Sequence, residues 1–138
     1  MTLSRRHFGA SCLAAACLAA PFATLAQPAP WPSKPLRIVV PYPPGGSSDI
    51  IARAISQPLS EALKQPVIVE NRAGATGMIA AEYVAKQPAD GTALLMAHIN
   101  SHAIAPALYP KIPYNAERDF SPITLVGVTP NLLICGEQ

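Results

Sequence analysis

Residues 40–55 read VPYPPGGSSDIIARAI. A β-branched run, LRIVV over residues 36–40, feeds into two prolines, two glycines and two serines, and an apolar helical pattern follows. This order reads as a buried strand, a turn and a helix over 48–63, with Ile50, Ile51, Ala54, Ile55, Leu59 and Leu63 at helical spacing. Pro58 lies inside that helix, where it removes a backbone donor, so a kink or break is expected there. Gly45 and Gly46 leave the backbone bare and tolerate unusual angles. Ser47 or Ser48 is expected to cap the helix. The unpaired amides of a first helical turn, with the positive end of the dipole behind them, suit an anion. The stretch lacks Gly-Lys-Ser/Thr and the G-x-G-x-x-G spacing, so it is not a nucleotide loop of either common kind. Asp49 would repel dense phosphate charge. It is expected to close a cap or to accept from a ligand or from water. A plain, well-capped turn is the alternative.

The same alternation continues downstream. A second strand is expected at 67–70, a loop at 71–77, a helix at 78–86, a turn at 88–91 and a third strand at 92–97. A polar turn follows at 98–101, then a short helix at 103–108, a proline-containing connection at 109–119, and further strands at 123–128 and 132–135. Alternating strands and helices imply βαβ units and a parallel sheet, hence an α/β fold. Ligands of such sheets collect beyond the carboxyl ends of the strands. Three loops fall there: 41–49, 71–77 and 98–102. Arg72 is either a cationic partner for a carboxylate or one half of an ion pair with Glu70. Asn100 and Ser101 open the short helix and could donate to a ligand. Tyr42 could wall a pocket or simply pack. His98 and His102 read more naturally as turn or cap residues than as ligands.

Composition narrows the function. Half of the 138 residues are hydrophobic and 13% are charged, enough apolar material for a core. The formal charge is +2, but Arg5 and Arg6 supply it, and the remaining eight Lys and Arg face eight Asp and Glu. No basic run interleaves with aromatics, which argues against a nucleic-acid surface. The first 26 residues have a basic start, a short apolar run and small residues before Gln27. They read as a signal peptide cut after Ala26, with the Sec or Tat route left open by Arg5-Arg6. Residues 27–35 form a proline-rich lead-in. The mature chain would then keep Cys135 alone, span no membrane, and hold neither a disulfide nor a cysteine metal site. No cofactor is expected. Ser47 and Ser48, with His98 and Asp49, are the only candidates for nucleophilic chemistry. Without a G-x-S-x-G elbow, an enzyme is not the expected reading.

Several blocks in register carry a resemblance: WPSKPLRIVVPYPPGGSSDIIARAI, QPVIVENRAGATG, and AAEYVAKQPADGTALLMAHINSHAIAPALYPKIPYNAERDFSPITLVG. In these the chain resembles the Bug-type periplasmic substrate-binding receptors of tripartite tricarboxylate transporters. The resemblance implies a type 2 periplasmic-binding fold, with a small carboxylate held in the cleft by backbone amides, hydroxyls and water. It also implies the membrane components of a tripartite transporter as partners. Carried over by position, the ligand-binding residues are Tyr42, Pro44, Gly45, Gly46, Ser47, Ser48 and Asp49 in the first loop. In the second they are Ala75, Thr76 and Gly77, and in the third Asn100, Ser101 and His102. The family's receptors are much longer. The resemblance therefore implies an incomplete first lobe over 36–138, its second lobe missing, as in a truncated product or split frame. A secreted half-receptor that pairs with another lobe or dimerises is the alternative, and a small secreted serine hydrolase a more distant one.

Overall fold

The computed structural model describes residues 30–128. The leader and the strand expected at 132–135 lie outside the described residues. Strand β1 (Leu36–Val40) is the middle of a three-stranded parallel sheet, flanked by β2 (Val67–Asn71) and β3 (Ala93–Leu95) in the order β2-β1-β3. Leu36 pairs with Val67 and Val40 with Asn71 on one side, and Arg37 with Ala93 and Val39 with Leu95 on the other. A central strand covered on both faces needs apolar residues almost throughout. Leu36, Ile38, Val39 and Val40 are accordingly buried.

Helix α1 (Ser47–Leu63) covers one face of the sheet. Ala52, Ile38 and Val40 form the buried centre, and Ile55, Leu59, Val67, Val69, Leu94 and Met96 pack around it. The inward stripe of α1 is thus Ala52, Ile55 and Leu59. Ile50 and Ile51, expected on that stripe, are exposed instead. The apolar spacing fits a helix but does not fix which way the helix is turned. Nor does Pro58 break it, because α1 runs on through Leu63 and ends at Lys64 in the left-handed region.

Helix α2 (Met78–Ala85) follows a tight turn at Ala75–Gly77 and buries Ala80 and Ala81. Beside it lies a polar cluster. Arg37 donates to Tyr83 Oη and to Gln87 Oε1, and Arg72 pairs with Glu70 at 2.6 Å while stacking 3.5 Å from the Tyr83 ring centre. After β3 the chain forms a wide π-helical turn (Asn100–Ile104) that continues as α3 (Ala105–Leu108). The expected strand at 123–128 does not form. Ile123 and Leu125 are 78% and 79% exposed, and strand propensity has little effect without a neighbouring strand to pair with. Among the described residues no helix is long and apolar enough to cross a membrane.

Candidate functional site

Strand order selects the site. From β1 the chain moves to β2 on one side, and from β2 it passes over β1 to β3 on the other. The loops leaving β1 and β3 therefore diverge, and the crevice between them is where open parallel sheets bind ligands. A cleft of about 470 Å³ opens there, lined by Tyr42, Pro43, Pro44, Gly46, Ser47, Ser48, His98 and Asn100.

The β1 loop is held from behind by a carboxylate. Asp49, the third residue of α1, is buried. Its Oδ2 accepts from Gly45 N at 2.9 Å and from Arg53 Nε at 3.0 Å, and its Oδ1 accepts from Asn71 Nδ2 at 2.9 Å. Asn71 also donates to the Tyr42 carbonyl at 3.1 Å, which ties the end of β2 to the same loop. The Arg53 guanidinium, then the Gly45 amide and the Asn71 amide, hold the Asp49 carboxyl well below the usual carboxylate range. Asp49 thus closes the loop and does not line the cleft.

The cap differs from expectation. Gly46 occupies the N-cap position with extended backbone, and no side chain bonds to it. Ser47 and Ser48 stand one and two residues inside the helix, so neither caps it. The first helical bond runs from Ile50 N to the Gly46 carbonyl. The amides of Ser47, Ser48 and Asp49 precede that bond and are the unpaired donors of a helix start. Gly45 carries the positive φ of 87°, whereas Gly46, at −75°, needs no special angle. Gly46 instead leaves space, since a Cβ there would meet only the Pro43 carbonyl, at 3.6 Å.

The second and third loops divide differently from the sequence grouping. Ala75, Thr76 and Gly77 do not line the cleft. Gly77 is buried, and a Cβ on it would lie 3.2 Å from Pro41 Cβ and 3.5 Å from Ser101 Cβ. That loop spaces the other two apart. In the third loop, only Asn100 of the three expected residues lines the cleft. Ser101 is buried, its hydroxyl donating to the His98 carbonyl at 3.1 Å and lying 2.9 Å from His102 Nδ1. His102 faces a separate hollow of about 340 Å³ with Tyr114 and Ile112, where burial pushes its imidazole pKa down and its Nε2 has no partner among the described residues. Of the two readings of Arg72, the ion pair with Glu70 is the one present.

The residue underweighted in the sequence is His98. It lines the cleft with its Nδ1 3.1 Å from Tyr42 Oη. Arg53 went unread in the sequence, although its i,i+4 spacing from Asp49 is a signal that points to the pair. Asn71 gave no local signal. Ser47 and Ser48 pair with neither Asp49 nor His98, because Asp49 is engaged by Gly45, Arg53 and Asn71, and His98 Nδ1 faces Tyr42.

Comparison with known proteins agrees with this architecture. The model of the tripartite tricarboxylate transporter family receptor matches residues 51–137. The chain belongs to that family. BugT of Bordetella pertussis is 42% identical over 105 residues, covering 75% of this chain and 32% of its own length. MatC of Rhodopseudomonas palustris, solved with bound malate, is 38% identical with a TM-score of 0.66, over 70% of this chain and 33% of its own. A second R. palustris protein, solved with adipate, is 40% identical with a TM-score of 0.59, over 62% of this chain and 29% of its own. The chain thus spans about a third of the length of these family receptors. The family match begins at Ile51, just past the β1 loop.

Proposed function

We propose that this chain contributes the first half of a ligand cleft to an exported receptor that captures a small carboxylate for a tripartite transporter. The observation that carries this reading is the cleft between the β1 and β3 loops, where the open start of α1 meets bare backbone at Gly46. Unpaired amides and the helix dipole favour an anion there, and Gly46 adds no side chain to block a carboxylate oxygen. The malate and adipate bound by the two R. palustris neighbours support the same ligand class. Family membership supports a periplasmic location and membrane partners. The basic and apolar leader of residues 1–26 supports export.

Calorimetry of the purified protein against small mono-, di- and tricarboxylates tests the reading. Gly46→Val is expected to fold normally and to weaken binding roughly tenfold or more, equivalent to about 1.4 kcal/mol. Ser48→Ala removes one hydroxyl and should cost on the order of 1 kcal/mol. Lys64→Ala, at the far end of α1, should leave affinity unchanged. Undiminished binding by a folded Gly46→Val variant would show that the β1 loop is only a turn.

A further inference from the structure

The cleft wall contains a short polar chain whose direction is fixed by its chemistry. Asn100 Nδ2 lies 3.0 Å from Tyr42 Oη, and Tyr42 Oη lies 3.1 Å from His98 Nδ1. The Tyr42 and His98 rings meet edge-on, with centres 5.2 Å apart and planes at 83°. The Asn100 backbone N–H, a donor only, lies 3.4 Å from His98 Nδ1, so Nδ1 accepts, and the Tyr42 hydroxyl, which takes a hydrogen from Asn100 Nδ2, directs its own to it. Nδ1 is therefore an acceptor, and the neutral imidazole carries its hydrogen on Nε2. That N–H has no protein acceptor among the described residues, and His98 is exposed at the cleft. Among the described residues no Asp or Glu lines the cleft to compete for it.

We infer that His98 is a specificity-determining residue: its Nε2–H donates to a second acceptor group of the ligand, so the cleft favours a dicarboxylate over a monocarboxylate. The inference rests on the carboxylate reading above, with the first carboxylate at the α1 amides and the second meeting the residue that follows β3. Tyr42 is then a positioning residue, because it holds the imidazole in the tautomer that can donate.

Calorimetry with succinate and butyrate, acids of equal carbon number, tests the inference together with nitrogen NMR of ring-labelled histidine. The parent chain is expected to favour succinate and to show Nε2–H at His98. His98→Ala should reduce succinate affinity about tenfold while moving butyrate affinity by about twofold or less. His98→Gln keeps an N–H near the position of Nε2 and should recover part of the succinate affinity. Tyr42→Phe should lower succinate affinity and give a mixture of His98 tautomers. Equal binding of the two acids by the parent, equal losses of both in His98→Ala, or an Nδ1–H tautomer in the parent overturns the inference and leaves the carboxylate reading standing. Binding of none of the mono-, di- and tricarboxylates overturns the carboxylate reading, and the role of His98 with it.

Discussion

The loops after β1 and β2 look alike in sequence, since each is a glycine-rich passage from a strand into a helix. In the folded chain they do opposite things. The β1 loop has one positive φ, at Gly45, and the space beside it is open, as a Cβ there would meet nothing within 4 Å. Its shape is held by the Asp49 carboxylate. The β2 loop has four positive-φ residues in succession, Gly74, Ala75, Thr76 and Gly77. Its space is full: a Cβ on Gly74 would lie 2.6 Å from Ile79 Cδ1, and Gly77 touches both neighbouring loops. In the first loop glycine leaves room for a ligand, and in the second it leaves room for the protein.

The largest expected effect falls on the filled loop. Gly77→Val places a β-branched residue at φ 90° and drives it against Pro41 and Ser101. Left-handed strain and overpacking together should cost about 3 kcal/mol or more in urea unfolding. A loss of less than about 1 kcal/mol would break the comparison, because Gly77 would then not be spacing the loops.

The next effect concerns the clamp. Asp49 titrates lower in the folded chain than in the unfolded one, where a carboxyl of this type sits near about 3.9. The unfolded state then binds more protons in this range, so stability rises with pH. The Asp49 contribution is full above the unfolded value and is lost as pH falls below it toward the lower folded value. Asp49→Asn should destabilise the chain at neutral pH and flatten the acid-side decline of the thermal midpoint. An unchanged acid limb would show that the carboxylate does not hold the β1 loop.

Smaller again is Gly45→Ala, which meets no atoms but forces a side chain to a φ of 87°. About 1 kcal/mol is expected, from backbone strain alone. Gly46→Ala should be smallest, within about 0.5 kcal/mol by urea unfolding, because its φ of −75° is ordinary. A larger loss at Gly46 than at Gly45 would reverse the assignment of which glycine shapes the turn and which leaves it open.

Elements whose signal is local were legible in the sequence. The β-branched run at Leu36–Val40, the helix ending at Leu63 and the helix starting at Met78 all lie where apolar period and turn residues put them. Length was less legible at β3, which spans Ala93–Leu95 instead of 92–97, because pairing with β1 sets its limits. The strand expected at 123–128 failed for the same reason, since among the described residues that apolar run has no partner. The wide turn at Asn100–Ile104 was read as a polar turn over 98–101 leading into a short helix at 103–108, and that division hid how Asn100, Ser101 and His102 part toward different surroundings.

By itself, then, the sequence determined that strands alternate with helices, that their carboxyl-end loops are bare and polar, and that a glycine pair precedes α1. These follow from residue type and from contacts close along the chain. Only the tertiary structure decided which loops meet. The order β2-β1-β3 sets the β1 loop against the β3 loop, brings His98 to Tyr42 across 56 positions of sequence, and leaves the β2 loop as a spacer. Strand order arises from long-range packing of two helices on opposite faces of one sheet, and no local pattern of residues records it.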